Sequence, residues 1–133
     1  MLQKLNTKRR GGFTLVEIMI VVSIIFLLAA IAIPNFLRAR KRSQATRILE
    51  DLAQLDHAVD QYAIETSKQT GFNPTIDDLK NYIKTGTVLH TTGTDLFGNA
   101  YGPFTVDSVV KVPNAAFDAL SDVADDTFWS PYK

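Results

Sequence analysis

Gly12-Phe13-Thr14-Leu15-Val16-Glu17 stands between the basic run Lys8-Arg9-Arg10 and an apolar stretch that continues to Ile33. From Phe13 to Ile33 the only polar residues are Thr14, Glu17 and Ser23. About 21 residues at ~1.5 Å each make roughly 32 Å of helix, enough to cross a bilayer. A carboxylate in such a segment costs about 2.5 to 3.5 kcal/mol at mid-helix and less near an interface. Glu17, in the first turns, therefore needs a partner or a task, since a passive anchor would do better without it.

The string Arg9-Arg10-Gly11-Gly12-Phe13-Thr14-Leu15-Val16-Glu17, followed by the apolar stretch and Pro34, resembles the class III signal of type IV prepilins and type II secretion pseudopilins. The resemblance implies that a membrane prepilin peptidase cuts between Gly12 and Phe13 and N-methylates Phe13. It also implies that Glu17 pairs with the N-terminal amine of a neighbouring subunit during filament assembly. The residues suit these tasks. A cut after Gly12 creates a cationic amine at the membrane edge, and a carboxylate one helical turn away can neutralise that amine or a neighbour's, turning two costly charges into one pair. Gly11 and Gly12 let the backbone take the extended, close-fitting path a protease groove demands.

Two other readings of the segment stay open. Ala30-Ile31-Ala32 has the small-x-small form of a signal peptidase site, which would place a cut before Ile33 and release a secreted domain. The long apolar run, the charge of Glu17 and Pro34 just past the cut oppose it. An uncleaved signal anchor is the other reading. Flanking charge does not settle orientation: Lys4, Lys8, Arg9 and Arg10 precede the segment, and Arg38, Arg40, Lys41, Arg42 and Arg47 follow it. The resemblance implies a single inner-membrane pass with the leader cytoplasmic and the remainder periplasmic, before entry into a periplasmic pseudopilus or a surface pilus.

The chain of 133 residues carries no net formal charge, but its charges are segregated. From Ile48 onward five lysines (Lys68, Lys80, Lys84, Lys111 and Lys133) face 13 aspartates and glutamates, so the exported part is acidic and the juxtamembrane segment basic. Arg38 to Arg42 suit anionic lipid headgroups, acidic surfaces of neighbouring subunits, or simple solvation. With no cysteine, a disulfide framework, a thiol nucleophile and a cysteine metal site are excluded. Many type IV pilins close their C-terminal region with a disulfide, so its absence turns the resemblance toward the secretion pseudopilins.

Helical periodicity continues past the membrane segment. Ile48, Leu52, Leu55, Val59 and Tyr62 form one stripe, with Asp51, Gln54, Asp56 and Asp60 off it. One helix from Phe13 to Ser67, kinked or locally melted at Pro34, is expected. The Gly71-Phe72-Asn73-Pro74 run breaks it, and Thr75 then caps a short helix bearing Ile76, Leu79 and Ile83 and ended by Gly86. Val88 to His90, Tyr101 to Val106 and Val109 to Val112 read as strands of a small antiparallel sheet, and a last helix starting at Asn114 carries Ala116, Phe117, Leu120 and Val123. The expected fold is α+β and type IV pilin-like: a long N-terminal helix packed on a small antiparallel β-sheet head. Its segments are a cleaved leader (1–12), a transmembrane and assembly helix (13–33), an amphipathic continuation (34–67) and the head (68–133).

Asp95-Leu96-Phe97-Gly98-Asn99-Ala100-Tyr101 is similar to the Asp-Pro-aromatic-Gly-Asn-Pro-Tyr turn of the major pseudopilins, with both prolines missing. Here Asp95 can accept from the following amides, Gly98 can take positive φ, and Phe97 and Tyr101 can cover the core. In that group a loop near the C-terminus commonly binds calcium. Asp118, Asp122, Asp125 and Asp126 are the acidic candidates, but no glycine-rich, oxygen-dense loop surrounds them, so no metal ligand is assigned. Apart from that calcium possibility no cofactor is expected. The ending Phe128-Trp129-Ser130-Pro131-Tyr132-Lys133 is aromatic enough either to fold back and complete a small core or to meet a partner.

His57 and His90 lie far apart, and no nucleophile triad, phosphate loop or paired-histidine motif is present, so no enzyme is expected. An acidic exported domain repels phosphate, so no nucleic-acid partner is expected either. The function expected is a structural subunit of a homo-oligomeric filament, serving type II secretion. A type IV pilus for adhesion, motility or DNA uptake is the alternative within the class, and a secreted or membrane-anchored binding domain the alternative outside it. The partners implied are prepilin peptidase, minor pilins or pseudopilins, an inner-membrane assembly platform, and lipid before assembly.

Overall fold

A computed structural model describes residues 11–133; Lys4, Lys8, Arg9 and Arg10 of the leader lie outside the described residues. The chain divides into two compact units, one ending at Leu37 and one spanning Arg38–Lys133. A single helix, α1 (Leu15–Thr66, 52 residues), passes through the boundary. Pro34 lies inside α1 without ending it. One backbone donor is missing there, while the turns on either side keep theirs.

In the first unit the large apolar side chains are exposed, from Phe13 at 85% onward. The Ser23 hydroxyl donates to the Met19 carbonyl at 2.7 Å, so this polar residue needs no partner outside its own helix.

In the second unit α1 buries Ala45, Ile48, Leu52, Leu55, Ala58, Val59 and Ala63 on one face, with Tyr62 half-buried beside them. Each large side chain of that stripe contributes about 1.5 to 3 kcal/mol before the entropy of ordering is charged. The helix stops without a glycine. Ser67 turns into the left-handed region at φ 52°, and the Lys68 amide closes on the Ala63 carbonyl at 3.0 Å.

Four short helices follow: α2 (Ile76–Leu79), continued by a 3₁₀ turn over Lys80–Tyr82, α3 (Val88–Thr92), α4 (Asn114–Leu120) and α5 (Asp126–Trp129). Thr75 caps α2 in a reciprocal box with Asp78. Leu79, Leu89, Ala116, Leu120 and Trp129 carry these elements into the core formed on α1.

The expected sheet is not formed. Among the described residues the only ladder contact is an isolated antiparallel bridge between Thr94 and Ala100. Val88 to His90, read as a strand, lies in α3, because the Thr87 hydroxyl caps the His90 amide at 3.2 Å and Gly93 ends the helix in the left-handed conformation. Those two caps outweigh the β preference of one valine and two threonines. Tyr101 to Val112 has no helix, yet its backbone pairs with loops. The Val106 amide donates to Phe72 and the Val112 amide to Tyr132. Pro103 has no donor to give, and Asp107 turns to φ 63°, so no neighbouring segment can share a continuous ladder with it. The apolar residues of this segment are anchors all the same, with Tyr101, Phe104, Val106, Val110 and Val112 buried.

The C-terminal aromatics close the core. Trp129 is 0% exposed, with Phe128 edge-on to it at 5.2 Å.

Candidate assembly segment and the Asp95 turn

The N-terminus of α1 gives Glu17 a first task. The Thr14 amide donates to the Glu17 carboxylate at 3.3 Å, and the Glu17 amide donates to the Thr14 hydroxyl at 3.2 Å. This reciprocal box satisfies two amides at a helix start, where the backbone dipole also favours negative charge. The Thr14-x-x-Glu17 spacing ahead of an apolar run is its sequence signal, and looking outward for a partner to Glu17 passes over it. Phe13 adjoins the box, so an amine created there would lie beside a carboxylate already held in place. Gly12, Phe13 and Glu17 are therefore in sequence and space at one helix end, while Pro34 lies further along the same helix.

Asp95 is 2% exposed, the one buried charged side chain among the described residues. One carboxylate oxygen accepts from the Phe97 and Asn99 amides, both at 2.8 Å, and the other accepts from the Asn99 side-chain amide at 3.0 Å. The backbone tightens the same loop: the Asp95 amide donates to Asn99 at 2.9 Å and the Gly98 amide to Asp95 at 3.1 Å. Gly98 has φ 84°, a conformation a side chain would strain. Of the two aromatics only Tyr101 enters the core; Phe97 stays 44% exposed.

The Tyr101 hydroxyl then donates to Asp51 on α1 at 3.1 Å, tying the turn to the helix. Burial raises the Asp51 pKa above the usual carboxylate value, the Tyr101 bond and the Arg47 charge opposing it. Burial and the adjacent Asp51 charge push Tyr101 far up, so it stays a donor.

Three of the acidic C-terminal candidates, Asp122, Asp125 and Asp126, have side-chain partners within the chain. Lys41 holds Asp122 at 2.8 Å, which lowers the pKa of that carboxyl. Asp125 caps α5, accepting from the Thr127 hydroxyl and the Phe128 amide, and its pKa also falls. Asp126 pairs with Lys133. Among the described residues no three carboxylate or imidazole groups converge as a metal site would require. Of the basic segment, Lys41 is thus engaged and Arg42 lies over the Phe128 ring at 6.0 Å.

Comparison with known proteins agrees with this geometry. Residues 7–33 match the family described as the prokaryotic N-terminal methylation motif. The type II secretion system core protein G of Escherichia coli K12 is 30% identical over 105 residues, which cover 71% of this chain and 72% of that protein. The chain belongs to the type IV pilin-like family. Core protein G of Aeromonas hydrophila is 27% identical over 58% of this chain, which spans about half (54%) of that relative's length. The type IV major pilin PilA of Myxococcus xanthus is 44% identical over 48% of this chain and 29% of its own. No solved structure matches. This pilin-like chain is accordingly a structural subunit of the pilin or pseudopilin kind and not an enzyme.

Proposed function

We propose that the chain is the subunit of a pseudopilus serving type II protein secretion. The observation that carries this is the methylation motif at residues 7–33 in a chain that shares 30% identity across 72% of an Escherichia coli core protein G. Prepilin peptidase removes residues 1–12 and N-methylates Phe13. Residues 13–33 hold the subunit in the inner membrane with the leader cytoplasmic, residues 34–67 continue the helix, and the head (68–133) is periplasmic. An assembly platform then draws subunits from lipid into a helical array that includes minor pseudopilins. The exposed apolar side chains of α1 exchange lipid for one another, and Glu17 meeting the amine of a neighbour's Phe13 sets the register. The Asp95 to Tyr101 turn fixes the head on α1.

A surface type IV pilus is the second reading, favoured by the 44% identity to the Myxococcus xanthus and Dichelobacter nodosus major subunits. Immunogold labelling of the head in cells separates the two. Short labelled structures beneath the outer membrane fit a pseudopilus, and long surface fibres fit a pilus. Dispersed label without any filament refutes both.

A further inference from the structure

A calcium ion in a loop near the C-terminus is what the likeness to the major pseudopilins implies, and the donors of this chain do not fit one. Calcium takes about six to eight oxygen ligands, carboxylates and carbonyls among them. Here the carboxylates are engaged already. Asp122 accepts from the Lys41 ammonium at 2.8 Å, and Asp126 accepts from that of Lys133. One oxygen of Asp125 accepts from both the Thr127 hydroxyl at 2.7 Å and the Phe128 amide at 3.0 Å, the cap of α5. Asp118, exposed on α4, is left without a side-chain partner among the described residues. The carbonyls are committed too: that of Leu120 accepts from the Val123 and Ala124 amides at 3.0 and 2.9 Å, and that of Asp118 accepts from the Ser121 amide and hydroxyl.

Electrostatics point the same way. Arg42 lines the hollow of about 460 Å³ that Asp122 and Asp125 share, so a cation entering it would meet a guanidinium. Asp122 has a lowered pKa through its Lys41 bond, with the Arg38 charge adding to it, and Asp125 through its Thr127 and Phe128 bonds, with the Arg42 charge adding to it. Carboxylates this close in sequence repel one another unless cations stand among them. In this chain the cations are its own side chains. Lys41 ties the turn after α4 to α1, and Lys133, which also lies over the Phe117 ring at 4.7 Å, ties the chain end to α5 and α4.

We propose that Lys41 and Lys133 take the place of a divalent cation in this protein, fixing segment 118–133 so that the head folds and keeps its stability without calcium. An ammonium carried by the chain neutralises its carboxylate whatever the ion concentration outside, whereas a bound ion stabilises only in proportion to its supply. The inference concerns the folded head and holds whichever filament the subunit joins.

Thermal unfolding of the detergent-solubilised full chain, followed by the fluorescence of Trp129 in α5, tests it in calcium chloride, in magnesium chloride and in EDTA. An ion present at a hundred times its dissociation constant would raise the midpoint by roughly 10 to 20 °C, whereas the expected difference between calcium and EDTA is below about 2 °C. Lys41→Glu, Lys133→Glu and Asp122→Lys each set like charges together and should each lower the midpoint by roughly 4 to 8 °C, and the double exchange Lys41→Glu with Asp122→Lys should recover most of the loss. A larger rise that calcium gives and magnesium does not would overturn the proposal and return the acidic tail to metal binding. Lysine variants that melt like wild type, or a double exchange that recovers nothing, would overturn it from the other side, by showing that these pairs do not hold the tail. None of these readouts involves a filament, so the filament reading stands or falls separately.

Discussion

Replacing Asp95 by alanine should cost the head a large share of its stability. The carboxylate is buried and accepts from the Phe97 and Asn99 amides and the Asn99 side chain, at 2.8, 2.8 and 3.0 Å. Truncation leaves those donors without a protein partner, at about 1 to 3 kcal/mol for each one that stays dry. Phe97 and Gly98 are exposed, so water reaches part of the loop and the net loss should be about 3 kcal/mol. At roughly 0.05 to 0.15 kcal/mol per residue the compact unit Arg38–Lys133 has only about 5 to 14 kcal/mol in total, and its melting midpoint should fall by roughly 12 to 24 °C. The assay is built in, because Trp129 is the single tryptophan and is fully buried. Its fluorescence follows head unfolding in the detergent-solubilised full chain without interference from the membrane helix. Asp95→Asn keeps one acceptor for the two backbone amides but turns a donor toward Asn99, so it should fall between wild type and alanine. An alanine variant within about 0.5 kcal/mol of wild type, the range of ordinary surface changes, would refute the role given to these bonds.

Three further outcomes follow from the same geometry. Asp51 has a raised pKa in the folded chain, so its native form binds its proton more tightly than the unfolded chain does. Its stabilising term is complete below about pH 4 and is lost as pH rises through the elevated pKa. Asp51→Asn, which still accepts from Tyr101, should therefore gain on wild type at pH 7 relative to pH 3 in urea titrations; a gain only at acid pH contradicts the sign. Gly93 ends α3 at φ 66°, and a methyl group there would lie 2.7 Å from the Ile76 side chain. Gly93→Ala should destabilise the head by about 2 kcal/mol in the same titrations, and an unchanged midpoint would show the close approach to be unimportant. Glu17→Leu should still insert and be cleaved yet assemble poorly, with sustained normal filaments sinking the register role of Glu17.

Long-range periodicity made the main features legible. The stripe Ile48, Leu52, Leu55 and Val59 repeats often enough to be read as one buried face, and its small members Ala45 and Ala58 go unnoticed because alanine carries little hydropathy contrast. Thr75 marks a helix start by residue type, whereas Asn114 is the first residue of α4 behind Pro113 and makes no side-chain cap. The strand expectation fails because short apolar runs do not declare their period. Val88 to His90 is decided by Thr87 and Gly93 outside the run, and Tyr101 to Val112 pairs with Phe72 and Tyr132, which are remote in sequence. The helix α5 was hidden for a similar reason, since its signal is one capping aspartate, Asp125, in an acidic tail that first suggests a metal or a solvated surface. At the site, the Asp95 bonds follow from local turn chemistry, whereas the Tyr101 to Asp51 bond joins positions too distant for any local pattern to foresee.

Processing between Gly12 and Phe13 is the step on which the proposed assembly depends. The intact mass and N-terminal residue of the membrane-extracted protein, made with and without a prepilin peptidase, test this most directly. A start at N-methylated Phe13 that appears only with the peptidase is the expected result. A start at Ile33, or an untouched Met1 in its presence, would contradict it.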